Sequence, residues 1–373
     1  MTDENGRAEN GGCMCRPEAL QSFVKDVLVA VGTPANTAVE VARHLVRANL
    51  SGHDSHGVIR LPQYVGRIES GEIVASAVPA VIREVQGAAL IDGGWGFGQV
   101  SVQFAAEWAE RRATENGIAV AAVRHCTHTG RLGEYVEYVA ERGKVGVLTI
   151  GAAGPGVGGM VLPGTSHRFL GANPWVFGVP AGRRTAVLVD MSSSMIAQGK
   201  IAVALQQGVV LPPDSLVDRE GRPSREPSDF AAGGGLMPLG GTSAGHKGYG
   251  LALASALIGG LAMIEDPTPS LIGAPVDPAH RGESGQIGGV FIAVIDPAVF
   301  GPHEAYESLV SATVEKIKAL RKADGSEILV PGEPEARERT RRAEGVFLSE
   351  SLRDELERLS EKCRVSLAGV WEG

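Results

Sequence analysis

The chain has 373 residues and a formal net charge of −8, and hydrophobic residues make up 43% of it. An acidic chain gains nothing from attraction to a phosphate backbone, which argues against nucleic acid as a partner. The longest uncharged apolar run, 250–263, is shorter than the roughly 20 residues that span a bilayer, so we expect a globular protein without a membrane partner.

The cysteines and the amino-terminal residues indicate a cytoplasmic protein. The four cysteines, Cys13, Cys15, Cys126 and Cys363, are too few and too scattered for a disulfide scaffold and favour a reducing compartment. Residues 1–16 lack the basic start and apolar stretch of a signal peptide. We interpret them as a disordered tail.

Helical patterns stand at both ends of the chain. Apolar residues recur at i, i+3 and i+4 over 17–31, after Thr33-Pro34, and over 60–70, which is typical of amphipathic helices. The same spacing returns over 303–320 and 348–359. We therefore predict one helical domain built from 17–80 and 303–373.

The middle of the chain, 81–302, alternates strand and helix patterns. The predicted strands are 80–85, 88–92, 118–123, 145–150, 186–190 and 289–295, and the predicted helices are 99–114, 132–140, 196–206 and 250–261. This alternation is typical of α/β or α+β proteins with a covered sheet. The first two strands flank Gly87 as a hairpin, which predicts a large mixed sheet flanked by helices.

The segment 212–245 is rich in glycine, proline, serine and aspartate and shows little periodicity. Loops of this length are usually functional or mobile. We therefore predict a mobile loop within the central domain.

Four of the nine histidines fall in two short clusters between regular elements. The first contains His53 and His56 with Arg60, and the second contains His125 and His128. Loops on a rigid scaffold commonly carry catalytic groups.

Three chemistries are compatible with these clusters. Both contain H-x-x-H, which would suit a metal-dependent hydrolase, but the helical H-E-x-x-H pattern is absent. Ser55 or Cys126 would be the nucleophile of an acyl transferase, but no G-x-S-x-G elbow occurs. The third is acid–base chemistry on a small carboxylic acid, in which an imidazole exchanges a proton with a hydroxyl and a guanidinium grips the carboxylate.

Oxidation or reduction of such an acid would need a nicotinamide dinucleotide, but the sequence shows no Rossmann fingerprint for binding one. The glycines Gly94, Gly96 and Gly98 follow a predicted strand, but no second strand ending in an acidic residue stands about 20 residues further on. The glycines of 154–159 lead into no clear helix. A nicotinamide dinucleotide would therefore bind through another architecture.

The chain resembles the malate/L-lactate dehydrogenase family of type 2, which includes ureidoglycolate, sulfolactate and hydroxycarboxylate dehydrogenases and cyclic-imine-2-carboxylate reductases. Among its members the chain is similar to hydroxycarboxylate dehydrogenase B. The matching stretches occur in family order and cover about residues 18–350; they are Gly52–Pro62, His128–Gly133, Leu170–Pro174, Leu188–Ser194, His246–Leu251 and Leu329–Glu335.

The resemblance implies a cytoplasmic, homodimeric oxidoreductase with a non-Rossmann NAD(P)-binding fold that acts on a small 2-oxo or 2-hydroxy acid. It implies that His128 accepts the substrate proton, that Arg60 holds the carboxylate and that His56 orders substrate and nicotinamide. The cofactor residues that it implies are His56, Gly130, Arg131, Leu132, Leu188, Val189, Asp190, Met191, Ser192, His246, Gly288, Gly332, Glu333, Pro334 and Glu335.

These cofactor positions make physical sense individually. Asp190 at a strand end can accept ribose hydroxyls. Gly130 precedes a helix whose N-terminal N–H groups favour a phosphate, and Arg131 would add a charge there. NAD and NADP both stay open as cofactors, and no metal is predicted.

Two alternatives remain beside the 2-hydroxyacid dehydrogenase. A reductase of cyclic imine-2-carboxylates would use the same arginine and deliver the proton to nitrogen. A metal-dependent hydrolase or a non-catalytic binding protein with the same fold belongs to a different class.

Overall fold

The structure is a computed structural model that describes residues 12–154, 158–265 and 287–371. The helices of these ranges are α1 (Pro17–Ala30), α2 (Ala35–Leu50), α3 (Leu61–Glu69), α4 (Gly98–Asn116), α5 (Gly133–Ala140), α6 (Gln198–Gln207), α7 (Pro227–Ala231), α8 (Gly241–Gly259), α9 (His303–Lys318), α10 (Glu333–Arg341) and α11 (Glu350–Cys363). None of them has the length and apolarity needed to cross a bilayer.

The strands of the same ranges are mostly short. They are β1 (Cys13–Cys15), β2 (Ala80–Val85), β3 (Ala88–Gly96), β4 (Ile118–Cys126), β5 (Val145–Ala153), β6 (Met160–Val161), β7 (Arg168–Leu170), β8 (Trp175–Val179), β9 (Val187–Met191), β10 (Leu216–Val217), β11 (Pro223–Ser224), β12 (Gly235–Leu236), β13 (Ile287–Ile295) and β14 (Val346–Leu348).

The large sheet is mixed, as predicted. Its strands follow the order β11-β10-β12-β6-β7-β5-β13-β4-β3-β2, with β8 joining β5 to β9. The strands β3 and β4 run parallel, whereas β13 is antiparallel to both of its neighbours, β4 and β5. The antiparallel pairing of β2 with β3 confirms the predicted hairpin. Helices α4, α5 and α8 pack against this sheet.

A hydrophobic cluster outside the sheet joins the two ends of the chain. The inward faces of α1, α2 and α3 pack with Leu352, Leu356 and Leu359 of α11, and Phe97 at the start of α4 belongs to the same cluster. The strands β1 and β14 pair beside it. The prediction of a disordered tail is therefore wrong for Cys13–Cys15, because Cys15 is buried in this core; residues 1–11 lie outside the described ranges.

The segment 212–245 contains folded elements, so its prediction as a loop is wrong. Strand β10 pairs with β11 and β12, and β12 pairs with β6. Leu216 and Leu236 are buried. Two-residue strands are too short to show a period of two, which is why the sequence pattern did not reveal them.

Helix α9 lies beside the sheet rather than in the helical cluster. Arg184 Nη2 pairs with Glu315 Oε1 at 2.7 Å, and His303 Nε2 lies 3.0 Å from Asp296 Oδ1. An amphipathic pattern reports that one face is buried but not which neighbour covers it. The domain boundaries stay a prediction. Within the predicted helical domain, however, 303–320 contacts residues beside the sheet, whereas 348–359 packs in the hydrophobic cluster of the chain ends.

Candidate active site

The turn that carries His128 connects β4 to α5, and two glycines let it pack closely. Gly130 has φ +70°, and a Cβ there would lie 2.3 Å from Nε2 of His44. A Cβ on Gly98, at the start of α4, would lie 2.6 Å from the carbonyl oxygen of His128. Both positions are closed to larger residues, because real Cβ atoms do not approach heavy atoms so closely.

The residues His56, Arg60 and Tyr64 come from the turns that follow α2 and from α3. Asn49 at the end of α2 fixes these turns: its Oδ1 accepts from Val58 N at 2.8 Å, and its Nδ2 donates to Asp54 Oδ1 at 2.7 Å. The helical spacing then places Tyr64 one turn beyond Arg60. Tyr64 is buried in the hydrophobic cluster of the chain ends.

His56 and His128 come together as stacked rings. Their ring centroids are 5.6 Å apart, with an angle of 17° between the planes. The hydroxyl of Tyr64 lies 2.7 Å from Nδ1 of His128, and Nε2 of Gln99 donates to the same hydroxyl at 2.6 Å. These contacts hold one ring nitrogen of His128 and leave Nε2 as the atom available for a substrate.

Arg60 lies next to the two rings. Its Nε donates to the carbonyl oxygen of Ser55 at 2.7 Å, and its Nη1 donates to Gln63 Oε1 at 3.1 Å. Ser55 Oγ in turn lies 3.1 Å from Nδ1 of His56. The guanidinium is thereby anchored on one side.

Burial and nearby cations keep both histidines neutral. Burial, followed by repulsion from Arg60, lowers the pKa of His56 to about 3. Burial also lowers the pKa of His128 well below its usual range, and a charged His56 and Arg60 would lower it further. Burial raises the pKa of Tyr64 to about 12, so its hydroxyl keeps its proton. Both imidazoles are therefore neutral at pH 7 and lie beside the positive charge of Arg60.

A second polar cluster forms where β9 ends. Leu188 N donates to Pro331 O at 3.1 Å, which brings the start of α10 against β9. Glu335 Oε1 lies 3.4 Å from His53 Nε2, and this hydrogen bond lowers the pKa of Glu335. Burial raises the pKa of Asp190, and the negative charge of Glu335 adds to that effect. We name Asp190, Glu335 and His53 the acidic cluster.

Two backbone donors at the predicted phosphate site of Gly130 and Arg131 are occupied by side chains of this chain. Arg131 N donates to His44 Nε2 at 2.9 Å, and Gly133 N donates to Asp190 Oδ2 at 2.8 Å. The guanidinium of Arg131 is buried, with Nη1 3.5 Å from Glu137 Oε2. Arg131 N and Gly133 N are thus occupied by side chains of this chain, whereas Nε and Nη2 of Arg131 are buried without a hydrogen-bond partner. The phosphate role of Gly130 and Arg131 stays a prediction.

The remaining predicted cofactor residues are dispersed. Leu188, Val189 and Met191 belong to β9, Ser192 follows it, and Leu132 precedes α5 in the sheet core. Glu333 accepts from Lys318 Nζ at 2.6 Å, Pro334 lies in the first turn of α10, and Gly332 precedes it. Gly288 N donates to the sulfur of Met263 at 2.9 Å.

His246 lies apart from the stacked histidines. It is exposed on α8, beside a groove of about 340 Å³ that shares no lining residue with the cluster of His56, Arg60 and His128. The structure does not bring it together with the predicted catalytic residues.

The other two histidines of the H-x-x-H clusters, His53 and His125, face different partners. His53 contacts Glu335, whereas His125 Nδ1 lies 3.0 Å from Asp92 Oδ2. In 12–154, 158–265 and 287–371, no three histidine, cysteine, aspartate or glutamate side chains converge as a metal ion would require. Burial raises the pKa of Cys126 to about 12, which makes it a poor nucleophile.

Sequence reasoning missed Tyr64, Gln99 and His44. Each is buried in or next to a helix, where polar contacts between distant segments leave no pattern in the sequence. The one available signal was that Tyr64 stands four residues after Arg60.

Comparisons with known proteins show the family of the chain and agree with its fold. The sequence profile described as malate/L-lactate dehydrogenase matches residues 15–357. The L-sulfolactate dehydrogenase of Methanocaldococcus jannaschii is 33% identical over 344 residues, covering 92% of this chain and 95% of that protein. The Delta(1)-pyrroline-2-carboxylate reductase of Ancylobacter novellus is 32% identical over 339 residues, covering 90% and 94%. The solved malate dehydrogenase of Pyrococcus horikoshii is similar with a TM-score of 0.81 and 30% identity, covering 98% of each chain.

The family match and the relatives assign the chain to the oxidoreductases that act on hydroxy acids. The chain belongs to the malate/L-lactate dehydrogenase family.

Proposed function

We propose that the protein transfers a hydride between NAD(P)H and a small 2-oxo or 2-hydroxy carboxylic acid. The observation that carries this proposal is the stacking of His128 on His56 beside Arg60, with Tyr64 holding the far nitrogen of His128. The reaction needs a proton donor or acceptor at the substrate oxygen and a cation at the carboxylate. This cluster offers both within one small volume.

The proton step uses Nε2 of His128. During oxidation of a hydroxy acid, neutral His128 carries its hydrogen on Nδ1, which donates to the oxygen of Tyr64, and takes the hydroxyl proton on Nε2. Tyr64 therefore accepts from Nδ1–H in both protonation states of His128, and its own hydroxyl proton can be donated to another acceptor. Gln99 Oε1 is buried without a hydrogen-bond partner, and a half-turn of the amide would let it accept the hydroxyl proton of Tyr64. During reduction the same transfers run in reverse.

The substrate carboxylate also assists the proton transfer. Arg60 disfavours a positive charge on His128 in the free enzyme. A bound carboxylate neutralises that repulsion, so protonation of His128 becomes easier once substrate is present. This order suits the reduction direction, in which His128 must carry a proton when the oxo acid is bound.

The acidic cluster fits the ribose part of a dinucleotide. Glu335 Oε2 is buried without a hydrogen-bond partner, and ribose hydroxyls are the donors that it and Asp190 can accept. A Cβ on Gly332 would lie 2.7 Å from Ala186 O, so only glycine lets this turn pack so closely against the residues before β9. When bound, the nicotinamide ring supplies or takes up the hydride. The carboxylates of the acidic cluster would repel the 2′-phosphate of NADPH, so we expect NADH to bind more tightly than NADPH.

The test is His128→Gln, with His167→Gln as the matched control. His167 is exposed and contacts Thr165. We expect the first variant to lose about 10²–10⁴-fold in kcat, since general acid–base catalysis is worth that much, and to keep its affinity for NADH in a fluorescence titration. An unchanged kcat with any acid that the wild type turns over would remove His128 from its role.

A reductase of cyclic imine-2-carboxylates is the second candidate. The similarity to a Delta(1)-pyrroline-2-carboxylate reductase favours it. The same arginine would hold the carboxylate, and the proton would go to the imine nitrogen. An assay of NADH and NADPH oxidation separates the two reactions. It compares pyruvate and oxaloacetate as oxo acids with piperideine-2-carboxylate as the imine.

We also infer a cytoplasmic homodimer. Cys13, Cys126 and Cys363 are free thiols, which suits a reducing compartment. Phe300 and Leu309 are exposed apolar side chains near α9, and exposed apolar groups favour association. Light scattering during size-exclusion chromatography would measure the assembly, and a monomer at micromolar concentration would contradict it.

A further inference from the structure

A pair of thiols stands in β1, remote in sequence from every residue of the active site. The sulfurs of Cys13 and Cys15 are 4.0 Å apart. Residues i and i+2 of a strand point to the same face. Cys15 is fully buried, whereas Cys13 is partly exposed.

Cys13 is the more reactive of the two. The hydrogen bond from Cys15 lowers the pKa of Cys13, and the positive charge of Arg353 contributes in the same direction. The other cysteines differ, since burial raises the pKa of Cys126 to about 12 and also raises the pKa of Cys363. A thiolate is the nucleophile in disulfide exchange, so Cys13 is the expected site of attack.

We propose that Cys13 and Cys15 are a reversible oxidation site that reacts with low-molecular-weight disulfides. The Cys13 thiolate attacks a disulfide RSSR, forms a mixed disulfide with one sulfur and releases the other as a thiolate. Cys15 then loses its proton and attacks the Cys13 sulfur, which forms the Cys13–Cys15 bond and releases the second RSH. The protein loses two electrons and two protons, and RSSR is reduced to two RSH.

The product cannot keep the geometry of β1. Two residues of a strand span about 6.8 Å, the upper end of the Cα separation that a disulfide bridges. The sulfurs must approach from 4.0 Å to about 2.05 Å, which bends the strand. Disulfides under such strain are easily reduced and are typical of labile, regulatory bonds.

Bending β1 disturbs its pairing with β14. The register joins Cys13 to Leu348, Met14 to Phe347 and Cys15 to Val346. Cys15 belongs to the same hydrophobic cluster as Leu61 and Tyr64. Oxidation therefore loosens the core from which Tyr64 reaches the active site.

The experiment treats the full chain with oxidised glutathione and measures intact mass, peptide mass and amide hydrogen exchange. We expect a loss of about 2 Da, two hydrogens, in the peptide that contains both cysteines, with recovery in dithiothreitol. Amide exchange in 13–15 and 346–348 should quicken by at least about tenfold, as for local opening of a small cooperative unit.

Three variants make the test specific. Cys15→Ser should stop at a mixed disulfide on Cys13, and Cys13→Ser should prevent the loss of mass. Cys363→Ser is the control and should oxidise like the wild type. Glutathione found on Cys363 while Cys13 and Cys15 stay reduced would overturn the site, and a disulfide that leaves exchange in 346–348 unchanged would overturn the coupling to β14.

Discussion

The hydroxyl of Tyr64 is a single group whose removal tests the proposed proton path. It lies 2.7 Å from His128 Nδ1 and accepts from Gln99 Nε2 at 2.6 Å. Tyr64→Phe keeps the ring in the hydrophobic cluster and leaves two buried polar atoms without a partner. Each such atom costs about 1–3 kcal/mol, so we expect the free energy of unfolding to fall by about 2–6 kcal/mol.

The effect on catalysis should differ from a plain loss of stability. Without the hydroxyl, the stacking on His56 is left to orient the His128 ring, and its protonated form loses the hydrogen bond at Nδ1. We expect kcat to fall by about 10–100-fold, as for the loss of one hydrogen bond worth roughly 1.4–3 kcal/mol in the transition state. The KM for the acid should change little, because Arg60 keeps its contacts with Ser55 and Gln63.

The assay is steady-state kinetics below the unfolding temperature of the variant, with urea unfolding measured in parallel. Tyr306→Phe is the matched control, since Tyr306 lines a groove between α9 and the sheet and should leave kcat unaltered. A Tyr64→Phe enzyme that is less stable but retains kcat within twofold of the wild type would refute the reasoning, because Tyr64 would then only pack the core.

Three further predictions concern charge. Because the pKa of His128 is lowered well below its usual range, kcat/KM for oxidation should stay level as the pH falls from 8 to about 6, whereas an unperturbed histidine would lose half its activity near pH 6.5. Burial lowers the pKa of His44 to about 3. As the pH falls, the unfolded chain therefore protonates this histidine before the folded chain does. The contribution of His44 to the free energy of unfolding is full above pH 6.5 and declines as the pH falls towards 3. This group should cost about 2–3 kcal/mol at pH 4.5, and His44→Gln should remove that part of the decline in urea midpoints. Glu335→Gln should lower the ratio of the NADPH dissociation constant to the NADH dissociation constant, measured by fluorescence. An unchanged ratio would show that the ribose 2′-position does not lie near Glu335.

The sequence alone predicted much of the architecture and the principal polar residues of the site. The long strands and helices were recognisable because each buries one face with a regular period. His56, Arg60 and His128 could be singled out because they stand in short polar breaks between those elements. Their roles still rest on the resemblance to a family and on the proposals above.

Other features depend on side-chain direction, which a linear pattern does not contain. The sequence could not show that the guanidinium of Arg131 turns inward to Glu137. It also could not show that His44 occupies the backbone donor of Arg131. Tyr64 was hidden because a buried aromatic residue at helical spacing fits a core position equally well.

The shared hydrophobic cluster of the chain ends has a consequence for biosynthesis. Val58, Leu61 and Tyr64 pack in the same cluster as Val346, Leu348 and Leu356, which leave the ribosome much later. Domains tend to fold as units during translation, so the nascent chain can complete the β3–β4 region while the support for Arg60 is still missing. A product cut short before 346 would carry His128, the proposed proton acceptor, on a formed scaffold, but it would lack the packing that positions Arg60, the proposed carboxylate ligand.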